Sequence, residues 1–313
     1  MNFKSIGLLL ISLVTISAVS FAQKSKKDTI KVFLLAGQSN MDGYGYVKDL
    51  PKDLSKTQKD IWIFHGNSAA DDDTKKGSKG MWAQLKPGHG VGFNTDGEKN
   101  NLSDRFGVEL SFAQRIQELY PNDKIAIIKY SRGGTAIDTL VGSGAGCWEP
   151  DFNGKTGINQ YDHCLKTIQN AFSVNDINND GKEDVLVPMG IVWMQGESDA
   201  HSEETGLRYY YNLKRLMNLL RASLRVDDLP VVVGKISDSW NDPDGKVWDW
   251  GELVQYAEEK FAKTDAKAGI VRTTRYYKYS DKWHYDSPGF IDLGKQFANK
   301  AYELNEGKAP EAK

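Results

Sequence analysis

Two short stretches of this chain carry residue types suited to covalent chemistry. The first is Ala36-Gly37-Gln38-Ser39-Asn40-Met41, which places a serine at a tight turn. The second is Asp281-Lys282-Trp283-His284, which places a histidine three residues after an aspartate. A serine hydroxyl is a weak nucleophile until a base takes its proton, and the base works best when a third group fixes its tautomer. In a turn, the Asp-x-x-His spacing sets both side chains on one side of the backbone. Asp281 can then accept the proton of one ring nitrogen and leave the other free to deprotonate Ser39. The remaining histidines, His65, His89, His163 and His201, have no acid at that spacing. Taken alone, Ser39 reads as a turn serine and Asp281 as a cap beside a surface histidine. Their pairing makes the chain readable as a hydrolase.

Attack on a carbonyl creates an oxyanion that needs donors aimed at it. Tyr130-Ser131-Arg132-Gly133-Gly134-Thr135-Ala136-Ile137 holds a glycine pair after an apolar run. Glycine lets the backbone approach a substrate closely, so the N–H of Gly134 is expected to join that of Ser39. Trp193-Met194-Gln195-Gly196-Glu197-Ser198-Asp199 supplies Gln195 as a side-chain donor. One such donor typically stabilises the transition state by about 3–4 kcal/mol. Glu197 reads either as support for this network or as an acid at a helix start.

These groups must be positioned by strands and helices. Apolar strand candidates cover 30–35, 61–64, 125–130, 185–193, 231–236 and 269–272. Helical candidates cover 107–119, 161–172, 203–224, 253–263 and 288–304. In 203–224, Leu207, Tyr210, Tyr211, Leu213, Leu216, Leu219 and Leu220 fall on one face at helical spacing. Alternating strands and helices imply a parallel sheet covered on both faces. Ligands of such sheets bind at the carboxyl ends of the strands, where Ser39 would lie. Two long insertions, 67–103 and 136–157, follow strands and read as walls of that crevice or as surface decoration.

The chain has 313 residues with a net charge of −2, which argues against nucleic acid or an anionic membrane as the main partner. Residues 1–22 read as a secretory signal: Lys4, an apolar run from Ile6 to Val19, and small residues at Ser20 and Ala22. Cleavage is expected after Ala22, giving a secreted or periplasmic protein with no stable membrane insertion. Residues 23–29 form a polar lead-in, 30–305 a single domain and 306–313 a flexible tail. Cys147 and Cys164 are either one disulfide or two buried thiols.

Taken in order, these blocks resemble the SGNH (GDSL-like) hydrolase superfamily, and within it the branch of acetyl xylan esterases and sialate O-acetylesterases. The matching blocks are Gly-Gln-Ser-Asn-Met at 37–41, Gly-Gly-Thr-x-Ile at 133–137, Trp-x-Gln-Gly-Glu-x-Asp at 193–199 and Asp-x-x-His at 281–284. Phe106-Gly107-Val108-Glu109-Leu110 resembles the Gly-Pro-Glu-Leu helix start, with Val108 in place of proline. The resemblance implies a three-layer α/β/α sandwich around a central, mostly parallel sheet of five or six strands. It implies Ser39 as nucleophile, His284 as base, Asp281 as its orienter, and Gly134 and Gln195 as oxyanion donors. Gln195 stands where the wider superfamily has asparagine, as it does in the acetylesterase branch.

The expected activity is removal of O-acetyl groups from a carbohydrate, with no cofactor needed for catalysis. Trp82 and Trp148, in the two insertions, are the candidates for an aromatic rim on the sugar site. The alternatives are a non-catalytic carbohydrate-binding protein on the same scaffold, or a lipase-like esterase of other short-chain esters. Separately, Asp176, Asn178, Asp180, Lys182 and Asp184 resemble a short calcium loop, with oxygens at alternating positions and Gly181 at the turn. Val187 stands at the twelfth position, so the loop is not a full EF-hand. Calcium there would order the loop.

Overall fold

Ile30, Val32, Phe33, Leu34, Leu35 and Ala36 are all buried, as an apolar run in the middle of a sheet must be. They form β1, Asp28–Gly37, in a computed structural model that describes residues 27–68, 77–142, 144–154 and 157–308. The strand begins at Asp28, two residues before the apolar run, because Asp28 and Thr29 pair with Asp184 and Val185. The expected leader, 1–22, lies outside the described residues, as do 309–313 of the expected tail.

The other strands of the main sheet are β2 (Ile61–His65), β3 (Trp82–Gln84), β4 (Lys124–Ser131), β5 (Asp184–Met194), β6 (Val231–Gly234) and β7 (Ala268–Val271). Their order is β7-β6-β5-β1-β4-β2-β3. The sheet therefore has seven strands rather than five or six. Six are parallel, and β3 is an antiparallel edge paired to β2 through Phe64 and Trp82. The main helices are α1 (Glu109–Leu119), α2 (Gln160–Phe172), α3 (Glu203–Ser223), α4 (Gly251–Thr264) and α5 (Ser287–Glu306). α1 packs on α5 and α3 packs on α4, in two helical layers around the sheet. No helix among the described residues is long and apolar enough to cross a membrane.

Register decides which loops meet. Gly37 at the end of β1 lies opposite Ser131 of β4 and Met194 of β5. The three segments expected to carry chemistry thus leave the sheet side by side. Gly37 has φ 149°, and a side chain there would collide with the Met194 carbonyl. Glycine is what allows the central strand to turn at that point. Cys147 and Cys164 are both buried and unbridged, which resolves the open choice in favour of two thiols. Burial pushes the Cys147 thiol up to about 12 and raises that of Cys164 as well.

Candidate active site

Ser39 heads a one-turn helix, Ser39–Asp42, directly beyond β1. The first amide groups of a helix have no partner within it, so this start presents N–H groups beside the Ser39 hydroxyl. Gly133 lies against the serine: a Cβ there would stand 3.3 Å from the Ser39 Cβ. Any larger residue would crowd the nucleophile. Ser39, Gly133, Gly134 and His284 all line one cavity of about 460 Å³.

His284 sits in the loop between β7 and α5. Its Nδ1 lies 2.8 Å from Asp281 Oδ2, while Asp281 Oδ1 accepts the backbone N–H groups of Trp283 at 2.7 Å and His284 at 2.8 Å. One carboxylate therefore orients both the ring and the turn that bears it. The Tyr44 ring stacks on the imidazole, with centroids 3.5 Å apart and planes 5° from parallel. Burial lowers the His284 pKa below its usual 6.5, against the opposing pull of Asp281. Burial alone would raise the Asp281 carboxyl, but the hydrogen bonds from His284 and the two backbone groups hold it below the ordinary range.

Asn40 joins the two distant halves of the site. Its Nδ2 donates to Trp283 O at 3.2 Å, and its Oδ1 accepts the Tyr285 N–H at 3.3 Å. The residue after the serine thus holds the chain on both sides of the histidine. Glu197, fully buried, anchors Asn40 Nδ2 at 2.8 Å. Burial raises the Glu197 pKa, and the Asn40 hydrogen bond partly offsets this. No hydrogen bond joins Ser39 to His284 among the described residues. Such bonds commonly tighten only when substrate is bound.

The structure moves Gln195 away from its expected role. Its Nε2 donates to Thr135 O at 3.0 Å and to Asp199 Oδ2 at 2.7 Å, while Tyr209 donates to its Oε1 at 3.0 Å. The amide is fully buried beneath the cavity and spends its donors there. Gly134 and the head of the Ser39 helix remain at the cavity as backbone donor positions.

Trp82 and Trp148 are also misplaced by the sequence reading. Both are buried, with Trp82 Nε1 donating to Ala171 O at 3.0 Å and Trp148 Nε1 to Thr135 Oγ1 at 3.0 Å. The aromatic lining comes instead from Tyr44, Trp248 and Trp283. Of the two insertions, the first reaches the cavity through Val91, and none of the described residues of the second lines it.

Asp42 was also missed. It lines the cavity, accepts the Ser131 hydroxyl at 3.3 Å, and is pushed up to about 6 by burial against the opposing charge of Lys129. Beneath it, the buried Lys129 donates to Asp42 O at 2.8 Å, His89 O at 2.7 Å and Glu109 Oε2 at 2.8 Å. The Lys-Glu pair thereby ties the end of the nucleophile's helix to α1.

The loop expected to hold calcium closes as a turn on its own side chains. No group of three or more His, Cys, Asp or Glu placed to hold a metal occurs among the described residues. Most of the loop oxygens accept backbone N–H groups of the turn, while Asp184 Oδ1 is buried without a partner. Asp176 accepts Asp180 N and Gly181 N at 3.2 and 2.9 Å, Asn178 accepts Asp180 N at 2.9 Å, and Asp184 accepts Ile177 N at 2.8 Å. Asp180 accepts Lys182 N at 3.0 Å and lies 3.7 Å from the ammonium groups of Lys124 and Lys182.

A model of a carbohydrate esterase family, described as sialic acid-specific acetylesterase, matches residues 29–303. Three solved structures share the fold. A protein from Arabidopsis thaliana superposes with a TM-score of 0.60 at 21% identity, covering 88% of this chain and 98% of that one. A carbohydrate acetylesterase from Xanthomonas citri gives 0.60 at 16%, covering 88% and 57%. The protein NanS gives 0.58 at 15%, covering 90% and 99%. No curated protein sequence matches the chain.

Proposed function

The chain belongs to the carbohydrate esterase family of sialic acid-specific acetylesterases, and we propose that it is an exported serine esterase that removes O-acetyl groups from a glycan through an acetyl-enzyme on Ser39. Membership makes it a carboxylic ester hydrolase acting on acetylated carbohydrate. The observation that carries the mechanism is the clamp of Asn40 on both sides of His284, with the imidazole bonded to Asp281 at 2.8 Å.

In the proposed cycle, His284 Nε2 takes the Ser39 proton as Oγ attacks the acetyl carbonyl. Asp281 stabilises the imidazolium without itself taking the proton. The backbone N–H groups of Ser39 and Gly134 receive the developing oxyanion. The imidazolium then gives its proton to the departing sugar oxygen, leaving the acetyl group on Ser39. Water, deprotonated by the same imidazole, attacks the acetyl-enzyme and releases acetate. The apolar segment at 1–22 supports export, with a mature chain starting at Gln23.

The test is an acetate-release screen over defined acetylated glycans. Turnover by the wild type, its loss in Ser39→Ala with the melting temperature kept, and trapping of an acetylated Ser39 peptide are the expected results. Undiminished turnover by Ser39→Ala would refute the mechanism. N-terminal sequencing of the exported protein should begin at Gln23, and an intact Met1 on exported material would refute the leader.

A further inference from the structure

We infer that a second sugar subsite adjoins the reacting cavity, walled by Trp240 and Trp248, and that the substrate is an oligosaccharide or polymer rather than a free monosaccharide. This rests on the esterase reading above and extends it to the substrate's length. Beside the reacting cavity lies another of about 240 Å³, lined among others by Asp238, Trp240, Lys246, Trp248, Glu252 and Arg275. Trp248 lines both cavities and so adjoins the two.

Trp240 is the residue that calls for an explanation. It is 62% exposed and adopts φ 58°, a left-handed conformation that is strained for a bulky side chain. Neither the exposure nor the strain stabilises the fold. Yet the position is firmly built. The Asp238 carboxylate accepts the N–H groups of Trp240 at 2.7 Å, Val247 at 3.0 Å and Trp248 at 2.9 Å. The same loop is tied to the catalytic turn, because Ser239 Oγ donates to Lys282 O at 2.7 Å and Lys282 pairs with Asp242. The second cavity is therefore held in fixed relation to His284. Trp283, 47% exposed, continues the aromatic surface on the reacting side.

A pyranose ring suits this chemistry. Its C–H faces pack on an indole face, and its hydroxyls meet polar groups at the edge. Here those are the Lys246–Glu252 pair at 2.5 Å and the Arg275 guanidinium. Arg275 has no carboxylate partner among the described residues and stacks over Tyr276. A neighbouring sugar can thus be neutral or acidic, and both sources belong in the test.

The experiment compares two matched pairs of probes: O-acetylated xylose against O-acetylated xylotetraose, and O-acetylated sialic acid against O-acetylated sialyllactose. Wild type, Trp240→Gly and Trp240→Tyr are assayed with each, alongside an aryl acetate. Glycine relieves the left-handed backbone while deleting the platform, and tyrosine restores a platform. In the pair that is turned over, the longer member is expected to have the lower KM in wild type. Trp240→Gly should raise its KM about tenfold relative to that of the aryl acetate, with kcat little changed, and Trp240→Tyr should recover much of the loss. Equal KM for the short and long members of that pair, or a Trp240→Gly change shared equally by the aryl acetate, would overturn the subsite. Titration of xylotetraose and sialyllactose into Ser39→Ala reads the subsite without turnover. Binding lost in the Ser39→Ala, Trp240→Gly double variant supports it, and absence of binding to either probe overturns it. Failure of the esterase reading would instead show as loss of aryl acetate turnover in the wild type.

Discussion

His284 depends on a neighbour for its orientation and on burial for its proton affinity. Its pKa lies below 6.5 because desolvation outweighs the attraction of Asp281. A general base must be neutral, so kcat/KM should rise with pH along a limb whose midpoint falls below 6.5. Asp281→Asn removes the charge that favours the imidazolium. The midpoint should move lower still while kcat/KM drops about 10³–10⁴-fold, which a pH-rate profile of both proteins will show. Gln195 makes the opposite prediction. Its amide serves the buried Thr135 carbonyl and Asp199, whose carboxyl burial pushes up to about 7. Gln195→Ala should therefore cost about 1–3 kcal/mol of stability for each partner left unsatisfied. Thermal unfolding of the variant checks this; a large loss of kcat with unchanged unfolding would return Gln195 to the oxyanion site. The sequence told which residue follows β5, but not whether its side chain turns toward the cavity or away from it. Tyr209 on α3 settles that, by donating to Gln195 O at 2.7 Å and Oε1 at 3.0 Å. Trp82 and Trp148 were misread for a related reason. An indole in a polar loop looks like a rim, yet each found an acceptor inside the fold.

Among the elements, the strands of the sheet were legible because burial on both faces forces long apolar runs. β3 escaped notice. Three residues of antiparallel edge inside a Gly- and Lys-rich stretch carry too little periodicity to register. The role of β4 was also only half visible, since a lysine inside a strand does not announce its partners. Lys129 joins the nucleophile's helix, the first insertion and α1 through three hydrogen bonds. Lys129→Met leaves Glu109 charged and unpaired in the interior and should cost about 3–5 kcal/mol. Lys129→Met with Glu109→Gln should recover part of that stability in denaturant melts. Turnover should stay low, because Asp42 has still lost its anchor. The loop at 176–184 gives a further expectation. Its carboxylates already shape the turn, and Asp184 Oδ1 is buried without a partner, so calcium should raise the melting temperature without changing turnover; an unchanged melting temperature with and without EDTA would count against calcium there.

For the whole molecule, the order β7-β6-β5-β1-β4-β2-β3 places the first strand at the centre. Every loop with a part in the proposed chemistry leaves from one end of that sheet or from the turn before α5. Alternation of strands and helices was enough to foresee a mostly parallel sheet with the site at the carboxyl ends of its strands, but not this strand order. It was not enough to foresee the Asn40 clamp or the Tyr44 stack on His284, which depend on contacts between segments about 245 residues apart in the first case and on ring orientation in the second.

The two buried thiols have a practical consequence for the molecule as a whole. With no bridge to form, the chain can reach its native state without an oxidant, on either side of a membrane. A thiol-reactive dye should be excluded from Cys147 and Cys164 until the structure opens. The rate of labelling then becomes an internal clock for unfolding, readable without any engineered probe.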